Sequence, residues 1–388
     1  MEQNLERIVN DQDKATQYLY ELALKLLEVN GSDIFITAGS AAAFKINQEI
    51  RRVGGQNLTP QQTTLLVRSI MSDRQAREFD QHREINFSLN FPDVARFRVS
   101  AFTQRGSAGM VLRLIQQRIP TIEELSLPPI LRDIALTKRG LVIFLGGTGC
   151  GKTTSMAAML DHRNSQCREH IVTIEDPIEF FHRHKQSLVD QREVGVDTDS
   201  YETALKNTLR QAPNVILIGE VRDRETMQSV INFAETGHLC LTTLHANNTD
   251  QAFDRIINFF PEERRAQLLM DLSFNMKAFV SQRLLPREDR SGLIPAVEIL
   301  LNTPLMADLI FQGRVKEIKS IMARSSEQGI VTFDAALFDL YEAGKIGYET
   351  AIRHADSANN LRLRIKLESK RPPPRAAGEG QFQIDDRK

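Results

Sequence analysis

The sequence predicts an α+β domain followed by an α/β domain with a parallel sheet, and three observations carry that expectation. Residues 1–115 mix helical periodicity with short alternating strands. From about residue 131, apolar strands (GLVIFLG, HIVTIED, NVILIGE, HLCLTTLH) alternate with helical stretches, as a sheet covered on both faces requires. From about residue 304 only helical patterns remain. At roughly 150 residues per domain, a chain of 388 holds two or three such units.

In order, residues 13–29 place Leu19, Leu22, Leu24, Leu26 and Leu27 at helical spacing, and Gly31 ends the helix. SDIFITAG reads as a strand and AAAFKINQEIRRV as another, separated by Gly39-Ser40. Thr59-Pro60 starts a helix that runs through LLVRSIM. EINFSLNF, VARFRVSAF and AGMVLRLI are strands, the first two joined by a turn at Pro92-Asp93. Pro120, Pro128 and Pro129 mark residues 116–130 as a linker. The α/β domain with its C-terminal helices then spans 131–370, and the Pro- and Gly-rich residues 371–388 are expected to be disordered.

Composition narrows the function. Forty-nine basic against 50 acidic residues give a net charge of -1, and Trp is absent, which disfavours nucleic-acid binding by bulk charge or base stacking. Cys150, Cys167 and Cys240 form no CxxC pair, so a reducing, cytosolic compartment is expected. The N-terminal MEQNLERIVNDQDK lacks the apolar core of a signal peptide. No apolar run approaches the roughly 18 residues of a membrane helix.

Gly146-Gly147-Thr148-Gly149-Cys150-Gly151-Lys152-Thr153, with Thr154 after it, matches G-x-x-x-x-G-K-[ST] between a strand and a helix. Such a loop turns backbone N–H groups and a helix N-terminus onto phosphates, with Lys152 on the β- and γ-phosphates of ATP and the Thr153 hydroxyl on Mg²⁺. Cys150 within it is either a small filler or a thiol activated by the helix-terminal field. Strand-end carboxylates follow. Glu220 ends NVILIGE, where it can order an attacking water and help hold Mg²⁺; Glu175, with Asp176 and Glu179, ends a neighbouring strand and can do likewise. His245 ends HLCLTTLH, placed to bond a γ-phosphate or Glu220. The run His182 to Lys185 reads as a solvated basic patch.

GGTGCGKTT, VTIEDPIEF, NVILIGEVRD and TGHLCLTTLHAN resemble the Walker A, Asp, Walker B and His boxes of the type II/type IV secretion (GspE-like) ATPase family. The likeness runs over about residues 15–365. The chain lacks a large N-terminal region and a four-cysteine zinc module, so it is most similar to the pilus-retraction branch. The stretch Leu305 to Gln312 departs from the AIRNLIRE of PilT-like members, which, with the charged tail, favours the accessory, PilU-like ones. The resemblance implies a PAS-like N-terminal domain, a RecA-like ATPase domain, a homohexamer, and ATP with Mg²⁺ as cofactors. It also implies a PilT-like ATPase and an inner-membrane platform protein as partners, at the cytoplasmic face of the inner membrane. Family arginines that reach the phosphates match Arg98 and Arg113 here, and Arg222 is a further candidate for an interdomain contact. Asn214 stands where the family commonly has Asp. That difference motivates an alternative, a nucleotide-binding structural partner of a PilT-like motor with little turnover. A RecA-like nucleic-acid translocase is the remaining alternative, which the composition opposes.

Overall fold

In a computed structural model that describes residues 12–46, 49–92, 94–115, 118–325 and 329–371, the chain divides into two units. One comprises Met1–Arg118 with Ile178–Phe181, the other Ile119–Pro177 with His182–Lys388. The expected tail lies outside the described residues from position 372 on.

The first unit is built on helical and alternating burial. Helix α1 (Gln12–Glu28) buries Ala15, Leu19, Leu22, Ala23 and Leu26 and leaves Leu24 exposed, since Leu24 falls off that stripe. Strands β1 (Asp33–Ile36), β2 (Ala43–Ile46) and β3 (Glu49–Arg52) precede α2 (Pro60–Ser69) and α3 (Asp73–His82). Both helices start in capping boxes, Thr59 with Gln62 and Ser72 with Gln75, which satisfy backbone donors at each helix start. Strands β4 (Glu84–Phe91), β5 (Ala95–Gln104) and β6 (Ser107–Leu114) complete an antiparallel sheet ordered β3-β2-β1-β6-β5-β4. AAAFKINQEIRRV, expected as one strand, is two: β2 and β3 pair antiparallel with Ile46 opposite Glu49. The reason lies in the polarity of its second half. All of β3 is exposed, so it gains no core burial by running on and closes the sheet as a charged edge instead. Asn47 and Gln48, between them, lie outside the described residues, as does Asp93 of the expected Pro92-Asp93 turn.

The second unit opens with α4 (Ile130–Ala135), preceded by Ile122 and Leu127, which are buried beside it although they belong to the expected linker. Gln116 and Gln117 of that linker are not described. The elements that follow are β7 (Gly140–Leu145), α5 (Lys152–Gln166), β8 (His170–Glu175), β9 (Leu188–Glu193), α6 (Tyr201–Thr208), β10 (Val215–Ile218), α7 (Arg224–Glu235), β11 (Leu239–Leu244), α8 (Thr249–Asn258) and α9 (Glu262–Asn275). Then come β12 (Met276–Pro286), β13 (Leu293–Leu301) and five helices: α10 (Pro304–Phe311), α11 (Ile318–Met322), α12 (Phe333–Glu342), α13 (Tyr348–His354) and α14 (Ala358–Glu368). The sheet order is β13-β12-β7-β11-β10-β8-β9, parallel except for the antiparallel edge β13. Leu141, Ile143 and Leu145 of β7 enter one core, Val142 and Phe144 the other, which is why the strand reads as an unbroken apolar run.

Strands β9, β12 and β13 go beyond what periodicity identified. MKAFVSQRLLP is apolar with a polar interruption and suits a buried helix as well as a strand; its pairing with β7 and β13 decides the matter.

The basic run His182 to Lys185 is a solvated patch at Arg183, His184 and Lys185 but not at His182. His182 is buried, His184 Nδ1 accepts from the Val189 N–H, and Lys185 Nζ pairs with Asp161 at 2.7 Å. Burial holds the His182 imidazole down at about 4. The unfolded chain takes up this proton near pH 6.5 and the folded chain does not. Stability is therefore complete above about pH 6.5 and falls towards pH 4, by about 3 kcal/mol from this group. His182→Leu is expected to reduce the loss between pH 7 and pH 4.5 by about 2–3 kcal/mol in denaturant melts. An equal loss in both proteins would refute this.

Candidate active site

The parallel sheet sets the site. Adjacent strands β7, β11, β10 and β8 are in step near their carboxyl ends, with Leu145 opposite Leu244 and Ile218 opposite both Thr242 and Ile174. Their four following loops carry Gly146–Thr153, His245, Glu220 and Asp176, and so emerge side by side where open α/β sheets bind ligands.

The glycine loop leaves β7 at Gly146 (φ 149°) and enters α5 from Gly151 (φ 88°). A side chain at Gly146 would meet Cys150 Sγ at 2.4 Å and Gln282 O at 2.8 Å; one at Gly151 would meet Gln282 Nε2 at 2.7 Å. Glycine suits both places for its backbone angle, and at Gly146 also for want of space against a backbone carbonyl. Thr153 and Thr154 stand in the first turn of α5. The Lys152 ammonium is buried and donates to Gly146 O and Gly147 O, both at 2.8 Å, and lies 3.9 Å from Cys150 Sγ. A buried cation met by carbonyl dipoles at a helix N-terminus suits a polyanionic ligand such as a nucleotide phosphate.

Glu220 is clamped. Arg222 Nε donates to its Oε2 at 2.8 Å, and His245 Nε2 lies 3.1 Å from its Oε1. Of the two partners expected for His245, the geometry shows the carboxylate. Arg222 also reaches Asp176 at 3.5 Å, so within its own unit it ties two strand ends together. The loop behind His245 is held in turn: Arg255 Nη1 donates to His245 O at 3.0 Å, and Thr249 N and Oγ1 donate to the buried Glu298 at 3.0 and 2.9 Å. Glu175 is buried, and its Oε1 accepts from Thr173 at 2.6 Å and Gln191 at 3.2 Å. Glu179 is exposed. Among the described residues, no three His, Cys, Asp or Glu side chains gather as a metal cage. Oxygen donors from a hydroxyl and one or two carboxylates are what a largely hydrated Mg²⁺ needs.

Tyr201 and Gln282 escaped the sequence reading. The Tyr201 hydroxyl lies 3.0 Å from where a Gly219 side chain would start. Burial first, then the charge of Asp176, with lesser contributions from Glu175 and Glu220, pushes its phenol well above the ordinary value. Nothing local in SYETALKN signals this. For Gln282, the polar pair inside an apolar strand was the available signal.

Arg98 and Arg113 belong to the first unit, directly opposite each other on β5 and β6. Arg113 Nε bonds Asp33 Oδ1 at 2.8 Å. Asn214 sits at the start of β10, the strand end remote from Glu220, and its Oδ1 accepts from the His170 N–H at 2.9 Å.

The family model described as "Type II/IV secretion system protein" matches residues 9–310. The chain is 57% identical over 351 residues to the type IV pilus ATPase PilU of Pseudomonas aeruginosa, covering 90% of this chain and 92% of that protein. It is 38% identical to the type IV pilus retraction ATPase PilT of the same organism, over 85% of this chain and 96% of the relative. The crystal structure of the pilus retraction motor PilT with bound ADP superposes with a TM-score of 0.82 at 35% identity, covering 88% of this chain and 98% of that one. The glycine loop and the clamped carboxylate thus sit on a fold shared along nearly the whole chain, and the protein belongs to the type II/IV secretion system protein family.

Proposed function

We propose that this chain is an ATP-hydrolysing motor of type IV pilus retraction. It acts as an accessory to a PilT-like ATPase, in a homohexamer that works on an inner-membrane platform protein from the cytoplasmic side. The observation that carries the reading is Glu220, held by His245 and Arg222 one strand end away from the β11 loop that neighbours the glycine cradle. The likeness to PilU over 90% of the chain supports the pilus context.

In this reading Gly146 to Thr154 seat the phosphates of ATP, and Lys152 turns its ammonium from loop carbonyls to phosphate oxygens. Glu220 orients the attacking water and takes up its proton, while His245 and Arg222 hold the carboxylate in place. Thr153, Glu175 and Glu220 are the residues to hold Mg²⁺, which when bound supplies charge neutralisation at the phosphates. Glu220→Gln in cells is expected to abolish the chain's contribution to retraction force; unchanged retraction would defeat the motor reading.

Asn214 does not call for a silent ATPase. Aspartate would offer the same oxygen to the His170 N–H, far along β10 from Glu220. Asn214→Asp is accordingly expected to leave ATP turnover within about twofold of wild type, well under the tenfold that 1.4 kcal/mol would produce. A larger rise in a steady-state assay would restore the structural-partner reading.

A further inference from the structure

Strand β12 runs parallel to β7, with Ser281 opposite Leu145, so Gln282 stands beside Gly146 where the cradle begins. The two ends of Gln282 meet the two ends of the loop. Its backbone carbonyl oxygen lies 2.8 Å from where a Gly146 side chain would start, and its side-chain Nε2 lies 2.7 Å from where a Gly151 side chain would start. Its Oε1 accepts from Ser155 Oγ, in the first turn of α5, at 2.7 Å. Ser155 is 1% exposed and Gln282 3%, so water cannot replace this bond. Nor can Gln282 drift. Its neighbour Arg283 donates to His354 O at 2.6 Å and to Asp356 at 2.7 Å, with its guanidinium 3.8 Å from the centre of the Phe333 ring. The polar pair in β12 therefore has a division of labour: Arg283 anchors the strand to the C-terminal helices, and Gln282 backs the cradle.

We propose that Gln282 is a positioning residue for nucleotide binding, setting the height and tilt of the first turn of α5 so that the loop N–H groups converge on the phosphates. The proposal rests on Gly146–Thr153 being the nucleotide cradle. Alternation along a strand sends adjacent side chains to opposite faces, so one residue can serve the cradle while the next serves the helices. A preorganised site of this kind loses affinity when its support is removed, even though the supporting group never touches the ligand.

The test is calorimetric titration of the full chain with ADP, comparing wild type, Gln282→Met, Ser155→Ala and the double variant. Methionine keeps the length of glutamine and removes the acceptor. Each single change is expected to weaken ADP binding about tenfold, equivalent to about 1.4 kcal/mol. The double variant is expected to be no weaker than Gln282→Met, because both changes delete one shared bond. Gln282→Glu guards against a mere loss of packing. It keeps the acceptor for Ser155, so adding Ser155→Ala should weaken ADP binding in the Gln282→Glu background but not in the Gln282→Met background. Wild-type affinity in Gln282→Met, multiplying effects in the double variant, or no further loss on adding Ser155→Ala to Gln282→Glu would each overturn the proposal. Failure of the wild type to bind ADP would overturn the cradle reading along with it, whereas binding unaffected by these substitutions overturns the role of Gln282 alone.

Discussion

Glu220→Gln is expected to lower kcat for ATP by about 10²- to 10⁴-fold, the usual range for losing a positioned general base, while KM changes by less than about threefold. Glutamine has nearly the same shape, and its carbonyl oxygen can still accept from Arg222, whose Nε now donates to Glu220 Oε2 at 2.8 Å. What disappears is the negative charge. Without it the group cannot take a proton from water, and the His245 Nε2 at 3.1 Å faces an amide rather than a carboxylate. Because the cradle from Gly146 to Thr153 is untouched, nucleotide should still bind, and a variant that traps ATP without splitting it is the anticipated state. Single-turnover and steady-state assays separate the two parameters. A kcat within threefold of wild type would remove Glu220 from the chemistry.

The second large effect concerns stability and centres on Arg163. Its side chain is 2% exposed, forms a fork onto Glu169 through Nε at 2.7 Å and Nη2 at 3.0 Å, and donates from Nη1 to Ala135 O at 2.7 Å and Thr137 O at 2.6 Å. It thereby joins the end of α5 to the turn that leads from α4 into β7. Arg163→Met retains most of the volume but strands a carboxylate and two carbonyl oxygens. Breaking such a pair from one side costs about 3–5 kcal/mol. Glu169 keeps some solvent contact, with 24% of its side chain exposed, which places the expectation near 3 kcal/mol. Glu169→Gln should cost less, since the guanidinium would keep its two carbonyl acceptors. Urea melts of the second unit's transition test both; a loss under about 1 kcal/mol for Arg163→Met would show that the fork is not structural.

Much of the candidate site was legible because its parts are local. The glycine loop declares itself through backbone freedom at fixed spacing, and the apolar run before Glu220 places that residue at a strand end. The helix start at Thr59 follows from a side chain and a backbone N–H three residues apart, whereas the same device at Ser72, which opens α3, was not recognised from the sequence. By contrast, AAAFKINQEIRRV carries no local mark of where the chain reverses, and His182 carries none of its burial. Both depend on which surface another part of the chain offers.

From its sequence alone this protein has its strand–loop–helix cradle, the alternation of strands and helices that makes the sheet parallel, and the candidate residues Glu220, Glu175 and His245. Tertiary structure alone decided that His245 and Arg222 share Glu220, that Tyr201 lies among the carboxylates, and that Gln282 supports Ser155 across 127 positions of chain. The physical reason is range. Backbone angles, periodicity and capping are set by residues within a few places of each other, whereas burial and the pairing of polar groups are set by whatever the completed sheet brings alongside.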